Sequence, residues 1–246
     1  MTQLHDVVYI VCWRSSTILR FNAITHQRLT DINVKDLRDP WDIVACKRTQ
    51  QLYVADDPAC VRRVSADGAD IKLWWSKSSS DTFEHWKLSV TSNRLLMTSH
   101  VTKQLLQLDS DRNELKRVQL PHYMRPFHAV ESSSGSFVVS HDNIQLKQYQ
   151  ISEVNTAGEV LRQFSGSRLS SLGFTPHMAV DSDGNIFLAD FDNHHILLLD
   201  AQLTLRGVII DKHQLNYKPW RLCYREQTGQ LLVGLVHDVA VFELRR

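Results

Sequence analysis

The chain has 246 residues, 28 basic against 27 acidic for a formal net charge of +1, and is 43% hydrophobic and 22% charged. That balance marks an ordinary globular chain with ample material for a core, and it excludes a bulk field that would draw the chain to nucleic acid or a membrane surface. No run of eighteen apolar residues spans a bilayer, and Met1–Asp6 lacks the basic region of a secretory signal, so a cytoplasmic protein with no membrane partner is expected.

Taken in chain order, Val7–Val11 is the first strand-like run, and Cys12-Trp13-Arg14 follows it as a loop. Asp39-Pro40-Trp41-Asp42 then opens a unit that recurs: a turn with Pro, a short apolar stretch, a Gly/Asn/Asp turn and a second apolar stretch. The next copies start at Glu84-His85-Trp86, where His replaces Pro, at Arg125-Pro126-Phe127-His128, at Thr175-Pro176-His177 and at Lys218-Pro219-Trp220. The starts at 40, 85, 126, 176 and 219 lie 45, 41, 50 and 43 residues apart. Four-stranded propeller blades repeat at about 40–50 residues. Within the copy that starts at 176, Met178–Val180, Ile186–Asp190, Ile196–Asp200 and Thr204–Ile210 are four short β-rich runs separated by turns, and no segment offers a sustained 3.6-residue period. An all-β, six-bladed β-propeller of four-stranded blades is expected, as one domain over residues 1–246, with blades near 1–37, 38–83, 84–122, 123–172, 173–215 and 216–246.

With strands lettered a to d from the inside outward, Val7–Val11 fits strand b of the first blade. The last blade reads Trp220–Tyr224 as a, Leu231–Leu235 as b and Val239–Leu244 as c. Strand a of blade one and strand d of blade six are therefore expected to be missing, with residues 1–6 supplying at most part of one. Such an open seam invites coverage by a partner or by self-association.

Gly184-Asn185-Ile186-Phe187-Leu188-Ala189-Asp190, followed by Asp192-Asn193-His194-His195, resembles the NHL repeat, with Asn193-His194 in the naming position. Gln51–Asp56 and Gly229–Gly234 are similar but weaker. The resemblance implies a six-bladed binding module like the C-terminal propeller of tripartite-motif ubiquitin ligases. It also implies that RNA-binding and zinc-dependent lyase relatives exist.

In a propeller the b–c and d–a loops share one face. His100, His141, His194, His195 and His237 are expected in b–c loops, and His128 and His177 beside d–a loops or at the start of strand a, where the alternative is a histidine satisfied by backbone hydrogen bonds. With His85, His122 and His213, ten of the twelve histidines map to that face. Arg14, Arg38, Trp41, Tyr123, Arg125, Tyr217, Lys218, Trp220 and Arg221 join them. Such side chains combine rigid apolar area with donors. A protein or peptide partner is expected to bind there, such as the substrate of a ubiquitin-ligase-type protein, and single-stranded RNA is the alternative. A metal-dependent lyase or hydrolase is the lower alternative. The His85, His128 and His177 offsets from the repeat position differ, so they are not expected to converge on zinc. Asp181-Ser182-Asp183-Gly184-Asn185 reads as a hairpin turn, because its Gly comes too early for a calcium loop. No catalytic constellation, cofactor or metal is expected. Cys12, Cys46, Cys60 and Cys223 have no metal-site spacing and read as reduced thiols.

Overall fold

The computed structural model describes residues 1–57, 59–76, 86–91, 94–164, 177–235 and 238–244. Every regular element is a β-strand, so no helix long and apolar enough to cross a membrane occurs among the described residues. The chain divides into two compact units, Met1–Arg117 and Val118–Arg246.

The first unit holds three antiparallel meanders. Blade one is β1 (Thr2–Leu4), β2 (Val7–Val11), β3 (Thr17–Asn22) and β4 (Ile32–Asn33). Blade two is β5 (Asp42–Cys46), β6 (Gln51–Asp56), β7 (Cys60–Ser65) and β8 (Ile71–Ser76). Blade three is β9 (Trp86–Thr91), β10 (Arg94–Ser99), β11 (Gln104–Leu108) and β12 (Glu114–Gln119), whose last residues cross into the second unit. In the second unit, blade four is β13 (Met124–Glu131), β14 (Phe137–Asn143), β15 (Gln148–Val154) and β16 (Val160–Phe164). Blade five is β17 (Met178–Val180), β18 (Ile186–Asp190), β19 (His195–Leu199) and β20 (Leu205–Ile210). Blade six has three strands, β21 (Arg221–Arg225), β22 (Gln230–Gly234) and β23 (Val239–Glu243).

The two-residue period explains how blades stack. In β6, Leu52 and Val54 enter the core shared with blade one, while Tyr53 and Ala55 enter the core shared with blade three. In β18, Ile186 and Leu188 face blade four's side chains, and Phe187 and Ala189 face those of blade six. A strand buried on both faces reads as a continuous apolar run, which is what Leu52–Ala55 and Ile186–Ala189 show. Completely buried Leu52 and Leu188 contribute about 2 kcal/mol each.

One expectation about the seam changes. Strand a of blade one exists: Thr2–Leu4 pairs with Val7–Tyr9, and Thr2 Oγ1 accepts the Ala45 N–H of blade two at 3.1 Å. Three residues, two of them polar, carry too little apolar signal to be read from the sequence. Strand d of blade six is absent among the described residues, so the sixth sheet ends at strand c.

Candidate functional site

The b–c loops are built by side chains at the last position of strand b. Ser99 Oγ accepts the Thr102 N–H at 3.0 Å, and Asn143 Oδ1 accepts the N–H groups of Gln145 and Leu146 at 3.1 Å each. Asp190 takes the Asn193 N–H at 3.4 Å and Asn193 Nδ2–H at 2.8 Å. Short polar side chains favour such turns because they replace a missing backbone acceptor. The Asn193 of the NHL-like pair is thus a turn-holding residue. Burial pushes the Asp190 carboxyl above its ordinary range, and the Asn193 hydrogen bonds oppose that shift.

In the first unit, Trp13 of the blade-one b–c loop lies 6.3 Å from Trp41, which precedes strand a of blade two, with rings inclined at 41°. The Arg14 guanidinium carbon sits 4.1 Å over the Trp13 ring. Trp13 is 58% exposed. Arg38 is exposed, and its backbone N–H and that of Asp39 donate to buried Asp56, which also binds Arg62 at 3.1 Å.

The second unit repeats this design at blades five and six. Phe191 of the b–c loop meets Trp220 edge to face, with centroids at 4.9 Å. Lys218 Nζ lies 4.5 Å over Phe191 and 3.4 Å from the Asp192 carboxylate. Tyr217 is 48% exposed beside them in sequence, and Arg221 donates to the Trp220 carbonyl at 3.2 Å. At blade four, Arg125 pairs with Asp142 at 2.7 Å and its guanidinium carbon lies 5.7 Å from the Phe127 ring. Tyr123 accepts the Ile144 N–H through its carbonyl, and Ile144 and Leu146 are exposed.

Among the sequence-derived candidates, Arg14, Arg38, Arg125 and Tyr217 are exposed. Trp41, His100, Tyr123, His194, His195, Lys218, Trp220 and Arg221 are half-buried. His85 and His237 lie outside the described residues. Three histidines differ from the loop-face expectation. His141 is inside β14, completely buried, with Nε2 at 2.8 Å from Ser152 Oγ; burial lowers its pKa to about 4. His128 and His177 are also buried, and their rings stack at 4.2 Å. His128 Nδ1 accepts the Met178 N–H of blade five at 3.4 Å, and His177 Nδ1 accepts the Leu222 N–H of blade six at 3.2 Å. Asp42 plays the same part in the first unit, taking the Leu88 N–H of blade three at 3.1 Å. These residues clasp one innermost strand to the next. In each neutral imidazole the accepting Nδ1 leaves the proton on Nε2. A metal at Nε2 would demand the opposite tautomer and set N–H against N–H.

No family model matches the chain, and no curated protein matches it in sequence. Solved structures do match. A protein of unknown function from Bacteroides caccae aligns with a TM-score of 0.71 at 12% identity, over 96% of this chain and 89% of that one. The chain is a six-bladed β-propeller. Catalytically inactive virginiamycin B lyase from Staphylococcus aureus, with quinupristin, matches the propeller with a TM-score of 0.68 at 12% identity, over 97% and 76% of the two chains. The WD40 β-propeller domain of Doa1 gives 0.65 at 15% identity, over 100% and 92%. At these identities the likeness is one of fold.

Sequence reasoning missed Phe191, Ile144, Leu146 and Lys147 as part of these loops. The signal for the last was present: a four-residue connection between strands favours a left-handed residue at its end.

Proposed function

We propose that this propeller is a non-catalytic binding module that recognises a protein or peptide through its b–c and d–a loops, in the manner of a substrate-recognition domain of a ubiquitin-ligase-type protein. One observation carries the reading. In each unit an aromatic ring from a b–c loop packs on an aromatic ring preceding the next blade's strand a, with a cation against it: Trp13, Trp41 and Arg14 in one, Phe191, Trp220 and Lys218 in the other. Rigid aromatic area edged by donors is the composition of interface hot spots. The histidines nearest to a catalytic reading instead serve as backbone acceptors.

The test is capture of partners from lysate on the immobilised protein, with and without nuclease, beside a Trp41→Ala/Trp220→Ala variant. Captured proteins should survive nuclease and be lost from the variant. Loss on nuclease treatment assigns the loops to RNA, and equal capture by the variant sinks the loop-face reading. The lyase neighbour supports one alternative, in which quinupristin incubated with the protein would be consumed; recovery of the intact compound excludes that activity.

A further inference from the structure

The b–c connections share one backbone feature. Four b–c connections are described in full and that of blade two in part, and among the described residues each holds one non-glycine residue in the left-handed region. In the first unit these are Arg14 (φ 59°), Ala59 (φ 29°) and Lys103 (φ 55°); in the second they are Lys147 (φ 55°) and His194 (φ 56°). Glycine adopts this conformation freely, whereas any other L-residue costs roughly 1 kcal/mol. Four of the five tips instead carry Arg, Lys or His. Non-glycine residues at other turns, such as His5, Gln50, Arg112 and Leu203, adopt the same conformation, so turn geometry sets the backbone and the side chain sets what each connection presents.

Arg14 is the tip with a built environment. Its guanidinium lies 4.1 Å over the Trp13 ring. A guanidinium lying over a ring makes no hydrogen bond to it through its edge, so its N–H groups remain available for two-point binding of a carboxylate. The neighbouring loop supplies Trp41 and exposed Arg38. Arg125 and Lys218, the corresponding cations of the second unit, are held by Asp142 and Asp192. Neither Arg14 nor Arg38 forms an ion pair among the described residues. The site thus offers two arginines outside any ion pair among the described residues, beside two part-exposed tryptophans.

We infer that the Trp13–Arg14–Arg38–Trp41 loops of the first unit bind an acidic peptide segment of a partner protein, with carboxylates at the arginines and an apolar or aromatic residue against the indoles. This rests on the loop-face reading above and narrows it to one patch and one chemistry.

The test is fluorescence anisotropy with a fluorescein-labelled random copolymer of Glu and Tyr, against labelled polylysine and poly-uridylate. The copolymer should bind, polylysine should not, and rising salt should weaken binding. Arg14→Gly should weaken copolymer binding about tenfold, the loss expected for a two-point charge-assisted contact. Because glycine relieves the left-handed backbone, this variant should melt no lower than the parent, which separates lost binding from lost fold. Arg14→Lys should fall between the two. Equal binding of copolymer and polylysine, or unchanged copolymer binding in Arg14→Gly, overturns the inference. Binding of poly-uridylate without the copolymer overturns it in favour of nucleic acid. If the copolymer fails while Trp41→Ala/Trp220→Ala still loses its captured proteins, the acidic assignment falls and the loop-face reading stands.

Discussion

His177 shows how a residue's chemistry is reassigned by its neighbours. Its sequence context, one place after Pro176 at a loop, suits a ligand-binding donor. In the fold it is 8% exposed and accepts the Leu222 N–H, 45 residues away. His177→Ala would leave that buried N–H unsatisfied and open a cavity, for an expected loss of about 2–4 kcal/mol in urea unfolding. His177→Asn, whose Oδ1 takes the place of Nδ1, should restore part of it. His141 makes stability depend on pH. Its ordinary pKa of 6.5 falls to about 4 in the fold. Above pH 6.5 both folded and unfolded chains hold it neutral and its contribution is fully present. Between pH 6.5 and 4 only the unfolded chain takes up the proton, so about 3 kcal/mol is lost as pH falls through that window. The urea midpoint of His141→Gln should fall less steeply across the same window; identical slopes would remove His141 as the cause. Among the cysteines, burial and the nearby Asp56 charge push the Cys60 thiol up to about 11, whereas Cys12 is exposed. Iodoacetamide on the native protein at pH 8 should therefore label Cys12 and leave Cys60 untouched, as read by peptide mass mapping.

At the scale of elements, the turns are more repetitive than the sequence suggests. Asp109, Asn155 and Asp200 each directly follow strand c, and each accepts the N–H groups two and four residues on, at 2.8–2.9 Å. One of these turns also depends on glycine. Gly158 has φ +84°, and a Cβ there would lie 2.1 Å from the Gln119 carbonyl oxygen. Gly158→Ala is expected to cost about 2 kcal/mol or more, because backbone cannot yield as a flexible side chain would. The b–c loops predict the reverse sign. Lys147→Gly should raise the thermal midpoint, since it removes a left-handed residue from an exposed tip. A lower midpoint would show that the Lys147 side chain packs more than its exposure implies. Strand β13 departs from regular pairing between Pro126 and His128, where Phe127 forms a bulge. Proline has no N–H to give the ladder, and the bulge turns His128 inward to its clasp.

At the scale of the molecule, every blade but the sixth presents strand c between two neighbours. In blade five β19 is flanked by β18 and β20, whereas among the described residues β23 pairs with β22 alone. Amides of β23 should exchange with solvent faster than those of β19, as hydrogen-exchange mass spectrometry would show. Equal protection would mean that another segment covers the β23 edge in solution. The outer strands show why blade boundaries blur in a sequence. Val160, Leu161, Leu73 and Leu115 are apolar yet exposed on strands d, so the apolar pattern weakens where each blade ends.

The sequence by itself determined the strands, the recurrence and the six-bladed propeller, because alternation and turn chemistry act over a few residues and are written in order. Leu52–Ala55 and Ile186–Ala189 announce doubly buried strands without any knowledge of their neighbours. It also placed Trp41, Lys218 and Trp220 beside the loops where they lie. Tertiary structure alone decided which histidines lie at the loops and which are clasps. That choice depends on backbone N–H groups 45 or 50 residues distant, at Leu222 and Met178. It decided, too, that Asp142 holds Arg125 and Asp192 holds Lys218 while Arg14 rests on an indole. Charge pairing is set by the approach of loops from different strands, and no local pattern encodes that distance.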